Sequence, residues 1–293
     1  MREAAGLSSG KGHRDENFPV ASFLIAPRHR GIILAFYRFA RVADDVADHA
    51  DANADEKLGL LDQMRRTLLG ESDASPEAAV LRAQLAEHKL TAQHGIDLLE
   101  AFSRDVTKLR YRDWDDLLDY CRVSAMPVGR FVLDVHGESR ALWPACDALC
   151  SALQIVNHLQ DCGKDYRSLN RVYIPLDGFA AAGIGAEELA QDRASPALKG
   201  LIATLAKQTF ELLLKSRVFA PGIRDARLAL EVSVIQTLAE SLCRRLMKRD
   251  PLSERVHHRK NEILLLAFPA LGAFAAGRLR GRHQTIVVAD EPR

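Results

Sequence analysis

The chain has 293 residues, enough for one large domain or two ordinary ones, and 47% of them are hydrophobic. Lys plus Arg number 40 against 39 Asp plus Glu, so no global field recruits nucleic acid, and no basic run is interleaved with aromatics. Cysteines at 121, 146, 150, 162 and 243 fit neither a disulfide framework nor a zinc site; they read as reduced, mostly buried thiols of a cytoplasmic protein.

Residues 1–14 are rich in Gly, Ser and charge, lack the apolar stretch of a signal peptide, and are expected to form a disordered leader. An apolar helical run, Ile32 to Ala40, leads into Asp44-Asp45-Val46-Ala47-Asp48. Leu58, Leu61, Met64 and Leu68 repeat at helical spacing. Val80–Leu90, Gly95–Leu109 and Asp115–Val123 read as successive helices; Ala145–Asp161, Leu198–Val218 and Arg224–Arg249 read as long ones. Gly70 to Pro76, Ser195-Pro196, Pro221-Gly222 and Pro251 punctuate them. Pro127 falls inside a helical stretch and predicts a kink there, freeing a carbonyl able to hold water. Ile263 to Gly277 is apolar but shorter than the roughly 20 residues of a membrane span, and Arg278, Arg280 and Arg282 follow it. It reads as a core or interfacial helix, and 283–293 as a flexible tail. With no alternating strand pattern and short linkers throughout, the expected fold is a single all-α domain over 15–282.

Two acidic segments carry the chemistry. Asp44 and Asp48 lie four apart, as do Asn157, Asp161 and Asp165. On a helix, residues four apart stack on one face about 6 Å from each other, and unpaired carboxylates so placed repel. Either segment alone reads as an ordinary solvated face. Both, however, continue apolar helices, and buried acids are rare unless paired or metal-bound. The donors are hard oxygens, which suit Mg²⁺, and Mg²⁺ held by few carboxylates completes its shell with water and phosphate oxygens. The pattern therefore points to an enzyme that handles a diphosphate.

These segments, with others in order, resemble the squalene/phytoene synthase family of head-to-head prenyl transferases. Asp44 to Asp48 is similar to the family's first acidic motif, and Gln154, Asn157, Asp161 and Asp165 to its second. Tyr37 and Arg41 precede the first motif as in the family, and Arg171-Val172-Tyr173-Ile174-Pro175 follows the second. Tyr120 opens a stretch through Gly129 that resembles a third motif, around the reacting cation. The resemblance runs from about Phe18 to Ala267. It implies an isoprenoid synthase helical bundle with a central cavity. It implies Mg²⁺ on Asp44, Asp48, Asn157, Asp161 and Asp165, with catalytic roles for the four aspartates and Tyr120. Substrate contacts fall to Ser22, Tyr37, Arg41, Gln154, Asn157, Arg171 and Tyr173.

Within the family, Glu16 to Ser22, Tyr120 to Arg130 and Asn157 to Cys162 resemble the subgroup of bacterial hopanoid pathways. That subgroup ionises presqualene diphosphate and quenches the rearranged cation with water, giving hydroxysqualene. Ala21 and Gln160 stand where condensing members carry basic residues, which favours binding one diphosphate over two. The resemblance also implies contact with the inner face of the membrane and with other enzymes of the pathway. The rival readings are a condensing synthase making presqualene diphosphate, squalene or phytoene, and a non-catalytic helical scaffold or lipid-binding subunit.

Residue by residue, plainer roles stand beside these. Arg41 would clamp diphosphate. Asp45 supports the ladder from behind or is a surface acid. Tyr120 stabilises a cation through its ring or orients water through its hydroxyl. His158 reads as a satisfied core histidine. Phe36, Phe131, Val132 and Leu153 line a carbocation cavity or simply pack the core.

Overall fold

Local capping chemistry sets most helix boundaries in the computed structural model, which describes residues 26–259 together with 262, 263, 265 and 266. Helix α1 spans Pro27–Asp48 and opens on a proline. Asn53 and Glu56 exchange hydrogen bonds in a capping box that starts α2, Ala54–Leu68. Ser75 caps α3, Pro76–His88, which ends on Lys89 in the left-handed region. After α4, Gln93–Thr107, Asp113 caps α5, Trp114–Ser124. Then follow α6, Met126–Val135, α7, Trp143–Leu169, and α8, Leu176–Ala182. Ser195 caps α9, Pro196–Lys215; a short α10, Phe219–Gly222, precedes α11, Ala226–Leu246, which Asp225 caps.

The all-α expectation holds: among the described residues the one β-type pairing is an isolated bridge between Arg110 and Val172. Two differences from the sequence reading bear on the site. Pro127 does not kink a continuous helix; it lies in the first turn of α6, and the chain breaks at Ala125 (φ −116°, ψ −47°). A proline costs least in a first turn, where no partner awaits its missing N–H. Helix α7 runs eight residues beyond Asp161 and stops only at Asn170, φ 52°. That keeps Asp165 on the same helix as Asn157.

The apolar side chains gather in two cores. One joins α1 to α4 through Ile32, Phe39, Leu61, Met64, Leu81 and Leu98. The other joins α5, α7, α9 and α11 through residues such as Leu117, Ile155, Ile202 and Leu242. Helix α6 serves both, giving Phe131 to the first and Leu133 to the second. It packs closely on α7, since a Cβ at Gly129 would lie 2.5 Å from the sulfurs of Cys146 and Cys150. The space between the two cores is the cavity that the resemblance implied.

The five cysteines are free thiols, all buried except the half-buried Cys150. No helix among the described residues is long and apolar enough to cross a membrane. The proposed leader, the tail, Ser22, Ala21 and nearly all of the 263–282 segment lie outside the described residues.

Candidate active site

Helices α1 and α7 face the cavity with the same layout, apolar first and polar after. Ile33, Phe36, Tyr37 and Ala40 of α1 meet Cys146, Leu149, Cys150 and Leu153 of α7 around an apolar chamber of about 300 Å³. One turn further on, Asp44 and Asp48 of α1 meet Gln154, His158 and Asp165 of α7 around a polar chamber of about 260 Å³. Each helix thus lines both chambers in succession. Phe36, Phe131, Val132 and Leu153 all line the apolar chamber, with Phe36 and Phe131 stacked at 3.9 Å.

The polar chamber is floored by a network whose hub is Asp105 of α4. This carboxylate is 5% exposed and accepts hydrogen bonds from the hydroxyls of Tyr120, at 2.8 Å, and Tyr173, at 3.0 Å. Arg171 Nε donates to the Asp105 carbonyl at 3.1 Å, while its Nη1 donates to Asp48 at 2.5 Å and Nη2 to the Ala47 carbonyl at 3.2 Å. Lys57 Nζ reaches the same carbonyl at 3.0 Å. Two cations at the end of α1 complement its dipole. The extended segment carrying Arg171 and Tyr173 is held beside Leu109 to Arg112 by backbone bonds, among them Val172 N to Leu109 O at 3.0 Å.

Burial raises the Asp105 carboxyl to about 6, against the pull of Arg171 and the two tyrosines. The Tyr120 and Tyr173 hydroxyls are pushed well up, by burial and then by Asp105, and stay protonated donors. The Tyr120 hydroxyl is thus committed to Asp105 as a donor. The Tyr173 ring stacks on His158 at 3.5 Å. Burial, then Arg171, lowers His158 to about 3, so its neutral Nε2 can accept from the Gln154 amide 3.0 Å away.

Asp44 is raised to about 7, by burial and then by Asp48, and Asp165 to about 7, by burial and then by Asp161. A raised carboxyl binds its proton more tightly folded than unfolded. The stability Asp44 contributes is therefore complete below its unfolded value of 3.8 and lost as pH rises through about 7. Its side chain is 37% exposed, so solvent screens much of the repulsion. Without divalent metal, Asp44→Asn should be more stable than wild type to urea at about pH 8, by under about 1 kcal/mol. That gain should vanish near pH 4.

Several expected residues sit elsewhere. Tyr37 lines the apolar chamber, not the polar one. Arg41 is turned to its own helix, donating to Asp44 at 3.0 Å and to Asp45 at 2.5 Å, and is not part of the polar chamber's wall. Asp45 is no surface acid: it is 6% exposed, held by that ion pair. Asn157 and Asp161 do not line the polar chamber, and Asp161 instead lies 3.8 Å from His257. For Asn157 the reason is helical drift. Each step of four overshoots a full turn by about 40°, so Asn157 and Asp165 point about 80° apart. Gln160 is buried away from the chamber, with neither amide atom bonded among the described residues.

Asp105 and Lys57 escaped the sequence reading, and His158 lines the chamber as well as packing. An acid at position 105, in register with Leu98 and Ala101 on the apolar face of the run Gly95 to Leu109, was the available signal.

Among the described residues, no three His, Cys, Asp or Glu side chains converge closely enough to enclose an ion by themselves. Magnesium does not require such a cage. Asp44 and Asp165, whose carboxyls are raised, lie with Asp48 on facing helices, a hard-oxygen set whose crowding a divalent cation would relieve, so the three fit it.

The family model for squalene/phytoene synthase matches residues 12–262. The chain belongs to the squalene/phytoene synthase family. It is 60% identical to the hydroxysqualene synthase of Zymomonas mobilis, over 94% of this chain and 92% of that one. It is 55% identical to the hydroxysqualene synthase of Rhodopseudomonas palustris, over 96% of this chain and 97% of the relative. Among solved structures, a squalene synthase from Alicyclobacillus acidocaldarius superposes with a TM-score of 0.69 at 29% identity, covering 82% of this chain and 90% of that one. The family's helical isoprenoid synthase fold is thus the fold of this chain, and its two chambers have the polarity that a prenyl diphosphate requires.

Proposed function

We propose that this chain is a magnesium-dependent carbon–oxygen lyase of the hydroxysqualene synthase type. It ionises presqualene diphosphate, and water captures the rearranged cation to give hydroxysqualene and diphosphate. The observation that carries the reading is the succession of chambers along α1 and α7, carboxylates at one end and an apolar pocket at the other. The high identity to hydroxysqualene synthases over nearly the whole chain supports this choice within the family.

Asp44, Asp48 and Asp165 would hold magnesium, with Asn157 and Asp161 on the adjoining face of α7. When bound, magnesium supplies positive charge that neutralises the departing diphosphate. Arg171 and Lys57 add cations at the end of α1 that hold the leaving group in place. The Tyr120 ring, fixed by its bond to Asp105, turns a π face to developing positive charge. The apolar walls keep bulk water from the cation.

Purified protein supplied with magnesium and presqualene diphosphate should form the alcohol, detected by mass spectrometry, while farnesyl diphosphate in a parallel tube stays unconsumed. Consumption of farnesyl diphosphate would make the chain a condensing synthase instead.

A further inference from the structure

Water that captures a cation must turn a lone pair to it, so the group holding that water has to accept a hydrogen bond, not donate one. The wall of the polar chamber narrows the choice. Asp44, Asp48 and Asp165 are the carboxylates proposed for magnesium. Each oxygen of Asp105 is taken by a tyrosine hydroxyl. Arg171 only donates, and the Ser124 hydroxyl is sealed from solvent with no partner among the described residues. Gln154 remains. Its amide nitrogen is 3.0 Å from His158 Nε2, while its carbonyl oxygen has no hydrogen-bond partner among the described residues and is not sealed. Which way an amide faces is set by its hydrogen-bond network, and here His158 sets it. The ring is neutral, so its nitrogen lone pair claims the amide N–H and turns the carbonyl oxygen away. The ring is itself fixed, because it stacks on Tyr173 at 3.5 Å and 14°, and Tyr173 is anchored to Asp105. Gln154 also stands at the junction of the chambers, since its neighbour Leu153 lines the apolar one.

We propose that His158 is a positioning residue: it turns the Gln154 amide so that the carbonyl oxygen holds, at the junction of the two chambers, the water that captures the rearranged cation. This rests on the hydroxysqualene reading above. In the first step the carbon–oxygen bond to diphosphate breaks and its electron pair leaves with the diphosphate. In the last, a lone pair of the water forms the new carbon–oxygen bond, an O–H bond breaks, and the proton passes to the released diphosphate in the same chamber. No oxidant or reductant is consumed, and His158 stays neutral throughout.

The test reads alcohol formed per diphosphate released, in wild type and variants given magnesium and presqualene diphosphate. His158→Phe keeps a ring against Tyr173 but removes the acceptor, freeing the amide to turn. It should cut the alcohol share at least about tenfold, since a misplaced water loses its attacking geometry. Hydrocarbon formed by proton loss from the cation should take the alcohol's place. His158→Gln, which restores an acceptor near the Nε2 position, should recover part of the share. Gln154→Met, which removes the carbonyl oxygen, should match His158→Phe, and the double variant should lose no more than either. A wild-type share from His158→Phe, or from Gln154→Met if the first does not fold, overturns the proposal. So does a His158→Gln share no higher than that of His158→Phe. A histidine that only packs would slow turnover or lower stability and leave the share at its wild-type value. Failure of the underlying reading looks different: wild type itself would turn over presqualene diphosphate without making alcohol, or leave it untouched.

Discussion

Asp48→Ala should lower turnover of presqualene diphosphate by roughly 10³-fold or more while leaving the far-ultraviolet circular dichroism of the bundle unchanged. Two losses combine at this position. The side chain faces the polar chamber beside Asp44, so its removal takes away one of the carboxylates proposed for magnesium. It also accepts the 2.5 Å bond from Arg171 Nη1, so the guanidinium that should steady the leaving group loses an anchor. The magnesium concentration giving half-maximal rate should rise as well, which separates a metal role from mere misfolding. Unchanged activity in a folded variant would sink the metal assignment.

Arg171→Met should destabilise the fold by about 3–5 kcal/mol, the range for breaking a buried, hydrogen-bonded charge network by removing one member. The side chain is 7% exposed and ties together the C-terminal end of α1, α4 and the segment after α7. Without it the buried Asp105 carboxylate keeps its two tyrosine donors but loses its nearby positive charge. Urea unfolding reads this as a lower midpoint at constant slope. In a double-mutant cycle, the Asp48→Ala/Arg171→Met pair should cost less than the sum of the single changes, because each single change leaves the other group unpaired.

The sequence was informative wherever a signal repeated within a turn or two. Helices α2, α3, α9 and α11 could be read from apolar spacing and from breakers such as Ser195-Pro196 and Pro221-Gly222. Asp44, Asp48, Gln154 and Asp165 line one chamber as the motif spacing implied, and Tyr120, Arg171 and Tyr173 join them. Asp105 stayed hidden because its meaning comes from Tyr120, Tyr173 and Arg171, which approach from 15, 68 and 66 residues away. No local pattern encodes such partners. The second ladder was placed too simply, because spacing by four keeps a face for two residues but drifts by the third. The resemblance gave Arg41 a ligand role, but in the structure it donates to Asp44 and Asp45, three and four residues on along its own helix.

The serial arrangement of the chambers on α1 and α7 constrains how this scaffold can be lengthened. Inserting one residue between Ala40 and Asp44 would swing every later side chain of α1 through about 100° and carry Asp44 and Asp48 off the chamber. Only insertions near whole turns keep both halves in phase, each deepening the apolar part by about 5.4 Å. Matching changes would be needed in α7 between Cys150 and Gln154, whose side chains mark the same divide. The depth of the pocket is therefore adjustable in steps, not continuously, and the step is close to the length of an isoprene repeat. A scaffold ruled in helical turns is suited to measuring a chain built from five-carbon units.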